Sequence, residues 1–151
     1  MLAFVRHLGA IAILSLSIVT AGFAADAKPH RLALHVDQND PAVINLALNN
    51  LTNVIEYYRA KGESVEVDLV AYGPGLNMLR ADKSTVQERV KQLKDLAFPG
   101  KVQFSACNNT KLNMEKAEGH AITLLPEATL VDAGVVQLME LQEQGWSYIR
   151  P

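Results

Sequence analysis

Lys101-Val102-Gln103-Phe104-Ser105-Ala106-Cys107-Asn108-Asn109-Thr110 decides how this chain is read. Lys101 to Ala106 has the make-up of a strand, and Asn108-Asn109-Thr110 that of a helix start. Cys107 therefore falls at the C-terminal end of a strand, beside helix N–H groups of the kind that lower a thiol pKa. It is the single cysteine of the 151 residues. With no internal partner it is an inert buried residue, one half of an intermolecular bridge, or a reactive group. A lone cysteine is often only a small core hydrophobe, but the strand end and its polar flanks favour reactivity.

Outward from this segment, strands and helices alternate. Arg31 to Val36 is a strand, and Asp40-Pro41 signals a helix start, an N-cap with proline behind it. Val43, Ile44, Ala47, Leu48, Leu51, Val54, Ile55 and Tyr58 keep the helical period until Lys61-Gly62. Ser64 to Ala71 is a second strand, followed by the Tyr72-Gly73-Pro74-Gly75 turn and a short helical piece through Leu79. Ser84 and Gln87 suggest a capping box for a helix whose apolar face is Val86, Val90, Leu93 and Ala97. After the Cys107 strand come a helix from about Thr110 to Ala117 and a short strand, Thr129 to Val131. Asp132 then caps a helix expected to bury Val135, Leu138, Met139 and Gln142, which leaves Val136 and Leu141 for a subunit interface. Trp146 to Arg150 is a last strand. This alternation predicts an α/β domain, a three-layer α/β/α arrangement around a central, largely parallel sheet of about five strands.

Ligand sites in such sheets lie beyond the carboxyl ends of the strands. Cys107 is at that edge, and parallel strands would also bring His35, Asp37 and the Gly73-Pro74-Gly75 turn to it. Each has a plain structural alternative. His35 is equally a hydrogen-bonded core histidine, Asp37 a strand terminator, Gly73 and Gly75 turn geometry, and Asn109 and Thr110 helix caps that orient N–H groups toward Cys107. Cys107, Met114 and His120 are soft or borderline metal ligands within one segment, but copper sites of that type belong to all-β scaffolds, and no metal is expected. No Cys-x-x-Cys, Gly-x-Ser-x-Gly or Walker loop occurs.

The chain opens with the three-part layout of a Sec signal: Arg6 and His7, an apolar stretch from Leu8 to Thr20, and Gly22-Phe23-Ala24 before a cut at Ala25. The expected organisation is a signal peptide over 1–24 and one domain over 25–151. The product would be periplasmic, with no membrane association after cleavage. Loss of Arg6 leaves 13 basic side chains against 16 acidic, and none of the basic ones are massed, which argues against nucleic acid. A small α/β domain with sheet edges and apolar helix faces to cover is expected to form a symmetric homo-oligomer.

The Phe104-Ser105-Ala106-Cys107-Asn108-Asn109-Thr110 segment, the opening Leu34-His35-Val36-Asp37, the Tyr72-Gly73-Pro74-Gly75-Leu76 turn and the ending Leu141 to Ile149 together resemble the DsrE/DsrF-like family. The resemblance spans the whole chain after the leader. It implies a small, often oligomeric protein with a central parallel sheet, and sulfur relay with a cysteine carrying sulfur as a persulfide. By its segment, Cys107 is that cysteine. The best-understood relay members are cytoplasmic, whereas this chain carries an export signal. The implied partners are sulfur donors and acceptors, proteins or small sulfur compounds, with no cofactor required. The competing classes are a non-catalytic module binding a small ligand or protein, and a structural oligomer with an incidental cysteine.

Overall fold

The computed structural model describes residues 29–151. The expected leader and the first residues of the expected domain lie outside them. Five strands form one sheet: β1 (His30–Val36), β2 (Val65–Ala71), β3 (Lys101–Cys107), β4 (Ala128–Val131) and β5 (Ser147–Ile149). Four helices connect them: α1 (Pro41–Ala60), α2 (Gln87–Leu96), α3 (Asn108–Glu118) and α4 (Gly134–Glu143). A 3-10 segment, Gly73–Leu79, follows β2. The order is β4-β3-β2-β1-β5, and every pairing is parallel. The predicted α/β class and five-stranded parallel sheet are what the structure has.

The topology follows from the handedness of crossovers. β1 to β4 step across the sheet in one direction, so right-handed connections put α1 and α2 on one face. The return from β4 to β5 runs the other way, which puts α4 on the opposite face. The two faces are unequally covered. Alternate residues of each central strand (Leu32, Leu34 and Val36; Val67, Leu69 and Ala71; Val102, Phe104 and Ala106) join Ile44, Leu48, Leu51, Val90 and Leu93 in one large apolar core. The other face packs Ala33 and Val70 against Leu138 and Leu141, with Tyr72 and Trp146 alongside.

α1 starts as its sequence predicts, with Asp40 accepting the Ala42 N–H at 2.7 Å and Pro41 in the first turn. Two other caps differ. α2 begins at Gln87; Ser84 Oγ accepts the Val86 N–H and Gln87 Nε2 donates to the Ala81 and Ser84 carbonyls, so the two do not close a capping box. α4 is preceded by Ala133 with no side-chain cap, and the Asp132 carbonyl instead accepts the Asn109 N–H at 3.2 Å. The buried stripe of α4 is also shifted: Leu138 and Leu141 are inside, while Val135, Val136 and Met139 are exposed. Periodicity alone tolerates either stripe, because this helix is apolar on several sides. Leu141 thus belongs to the core of its own subunit.

Candidate functional site

β3 ends at Cys107, and Cys107 is itself the N-cap of α3. Its Sγ accepts the Thr110 N–H at 3.5 Å, doing with sulfur what an N-cap oxygen ordinarily does. The Thr110 hydroxyl oxygen accepts the Gly73 N–H at 3.0 Å, which ties the turn after β2 to the same cap. The start of α4 comes to the same place: Val131 pairs with Cys107 in the sheet, the Asp132 carbonyl accepts the Asn109 N–H at 3.2 Å, and Gly134, the first residue of α4, follows two residues on. Two helix N-termini therefore converge on one thiol.

The strand order explains the convergence. α3 leaves β3 on the side of the 3-10 segment, whereas α4 leaves β4 toward the opposite face. Adjacent strands whose connections part to opposite faces mark where sheets of this kind place their sites, and Cys107 ends one of the two strands. The residue is buried, at 5% exposure. Burial pushes the thiol pKa up. Hydrogen bonds from the Thr110 side chain and from the N–H groups of Gly134, Thr110 and Asn109 outweigh it, and the net direction is down.

The register places other groups in a row with the sulfur. Val36 pairs with Ala71 and Ala71 with Ala106, so Asp37, Tyr72 and Cys107 come next on three neighbouring strands. Neighbouring strands lie about 4.8 Å apart, so Asp37 and His35 sit about 10 Å of backbone from Cys107. They do not form a Cys–His pair. His35 belongs to its own cluster: its Nδ1 is 2.6 Å from the Tyr148 hydroxyl and its Nε2 is 3.7 Å from Asp37 Oδ2. Arg150 reaches the same Asp37 oxygen at 3.7 Å, and the rings of Tyr72 and Tyr148 flank the imidazole. Burial lowers the His35 pKa, aided by Arg150 and opposed by Asp37, so the neutral ring is favoured.

Tyr72 lies between the two clusters. A Cβ at Gly134 would stand 3.0 Å from Tyr72 Cβ, so glycine is what lets the α4 N-terminus close on the Tyr72 ring. Gly75 serves a second close approach, since a Cβ there would lie 2.1 Å from the Val36 carbonyl oxygen. Gly73 and Gly75 therefore shape the turn, and the Gly73 N–H reaches the site only through Thr110.

Of the predicted site residues, Cys107, Thr110 and Asn109 meet at the start of α3, Gly73 joins them through Thr110, Gly75 only shapes the turn, and His35 and Asp37 form the second cluster. The sequence reading missed Gly134, Tyr72, Tyr148 and Arg150. Tyr72 and Tyr148 stand in segments already singled out, but nothing local says that both face His35. Gly134 carries no short-range signal at all. His120 is exposed and bonded to the Ala121 carbonyl at 3.0 Å, and no group of three or more metal-binding His, Cys, Asp or Glu side chains exists among the described residues. Among those residues no helix is long and apolar enough to cross a membrane.

No protein-family model matches the sequence, and no curated protein matches it. Among solved structures, the chain is similar to the protein of unknown function MTH1491 from Methanobacterium thermoautotrophicum. The two are 34% identical with a TM-score of 0.66, over 81% of this chain and 99% of the archaeal one. The chain belongs to the same family as that archaeal protein.

Proposed function

We propose that this protein is an exported, DsrE/DsrF-like sulfur carrier that holds sulfane sulfur as a persulfide on Cys107 and passes it to a partner thiol. The observation that carries the reading is the thiol itself, which caps α3, accepts the Thr110 N–H and stands beside the start of α4. Such donors stabilise a thiolate and a persulfide anion alike. The sequence resemblance supplies the specific chemistry.

The step balances without a cofactor. The Cys107 thiolate attacks the outer sulfur of a donor such as thiosulfate. A sulfur–sulfur bond forms to Cys107, the donor's own sulfur–sulfur bond breaks, and sulfite leaves with the electron pair. An acceptor thiolate then attacks the outer sulfur of the persulfide, and Cys107 departs as thiolate. No second cysteine is present in the subunit to intercept the intermediate. The donor and acceptor are small sulfur compounds or thiol proteins of the compartment to which the leader directs the chain, the periplasm.

The test is intact mass after incubation with thiosulfate or polysulfide, beside a Cys107→Ser control. A gain of one sulfur, removable by a reductant and confined to the native protein, is the expected result. No gain, with the thiol shown to react with an alkylating agent, would overturn the carrier and favour the binding module.

A further inference from the structure

Beneath α4, on the Cys107 face of the sheet, lies a buried carboxylic acid that the sulfur chemistry does not use. Asp68, in the middle of β2, is 2% exposed. Its Oδ2 accepts from Gln103 Nε2 at 3.2 Å and from Gln137 Nε2 at 2.9 Å, while Oδ1 is buried with no partner. Gln103 also donates to Ser105 at 2.9 Å, so β2 and β3 present a joined polar patch to the helix. A buried carboxyl in this setting is costly to keep unless its position matters.

Gln137 belongs to α4, one turn after Gly134, and its own N–H closes on the Ala133 carbonyl at 3.0 Å. Its bond to Asp68 is the one side-chain hydrogen bond from α4 to the sheet among the described residues. The remaining hold is apolar, through Leu138 and Leu141 onto Ala33 and Val70. Apolar contact is not directional and allows a helix to slide or rotate. A hydrogen bond to a fixed acceptor in the sheet sets where the first turn comes to rest.

We propose that Asp68 is a positioning residue for Cys107: it anchors α4 through Gln137 and thereby seats the Gly134 N–H on the sulfur. The role is one of acceptor geometry rather than charge. Asp68 is in register with Gln103, four residues before Cys107 and about 13 Å away along the strands, beyond a Debye length at ordinary salt. Burial raises the Asp68 pKa, with hydrogen bonds from Ser105, Gln137 and Gln103 pulling the other way. The orphan Oδ1 leaves a place for an amide nitrogen, so asparagine reproduces the anchor without an ionisable group. The biological weight of this role rests on Cys107 being the sulfur-carrying residue, but the acidity it sets is measured separately from sulfur loading.

The experiment is a pH titration of the iodoacetamide alkylation rate of Cys107 in the purified protein and in Asp68→Asn, Asp68→Leu and Gln137→Leu. The asparagine variant is expected to track the native midpoint. Both leucine variants are expected to raise it by about one pH unit, about tenfold less thiolate at pH values well below the midpoint. Should Asp68→Leu fail to fold, Gln137→Leu, at a half-buried position, decides the outcome. An unchanged midpoint in Gln137→Leu would overturn the proposal, and so would a lowered midpoint in Asp68→Asn, which would mean that charge rather than anchoring governs the thiol. Failure here with sulfur loading intact leaves the carrier reading standing. Loss of loading with the midpoint shifts as expected removes the carrier and keeps the anchor.

Discussion

The two faces of the sheet are built to different ends. The α1/α2 face buries an unbroken apolar set from every central strand, with Phe104, Leu34 and Leu69 fully enclosed. The α4 face, formed by the alternate residues of the same strands, buries His35, Asp68, Ser105 and Cys107. Neighbouring residues on one strand thus serve opposite purposes, Phe104 and Ala106 for stability, Ser105 and Cys107 for polar chemistry. The difference teaches that burial alone does not identify core. What a buried residue is bonded to decides whether it serves packing or a site.

This contrast can be broken most directly by stability. Phe104→Ala on the α1/α2 face is expected to cost about 3–5 kcal/mol, because the side chain is fully enclosed and its neighbours cannot collapse onto the void. Leu138→Ala on the α4 face should cost about 2 kcal/mol, the low end for such truncations, since one helix edge is already near solvent. Urea denaturation of both variants checks the ranking. An equal cost would mean that the α4 layer carries as much of the fold as the other.

A smaller effect separates the faces by pH. His35 has a folded pKa below its ordinary value of 6.5, so below that pH the unfolded chain binds the extra proton more readily than the native one. The contribution of neutral His35 is therefore present above about pH 6.5 and is lost as pH falls toward the folded pKa. His35→Gln should flatten the decline in unfolding free energy below about pH 6.5 relative to the native protein. An identical slope in both proteins would show that the His35 ring does not set that window.

The smallest expected change in stability comes with a change in assembly. Val135, Val136 and Met139 stand exposed on α4, beside an exposed Leu130 on β4. Apolar surface of this kind is commonly covered by a second copy. Light scattering should find a homo-oligomer that Met139→Glu dissociates, with little effect on the fold of each subunit. A native protein that is monomeric at working concentration would remove this expectation and leave the thiol chemistry untouched.

Much of the architecture was legible from residue order. The Asp40-Pro41 start, the apolar period of α1 and the strand that carries Cys107 are local signals, set by backbone sterics and short-range hydrogen bonding. The stripe of α4 was not legible, because Val135, Val136, Leu138, Met139 and Leu141 offer several apolar faces and only the sheet selects one. The Asp132 cap failed because α4 starts at Gly134, which makes Ala133 the N-cap and leaves Asp132 one residue early.

By itself the sequence determined that a single thiol would end a parallel strand at the start of a helix, because that arrangement depends on neighbours in the chain. Only the tertiary structure decided that a second helix start would meet the same sulfur, that His35 would pair with Tyr148 rather than with Cys107, and that Asp68 would hold α4 in place. Those contacts join residues 27 to 113 positions apart. They follow from strand order and the return of β5 beside β1, which no local pattern encodes.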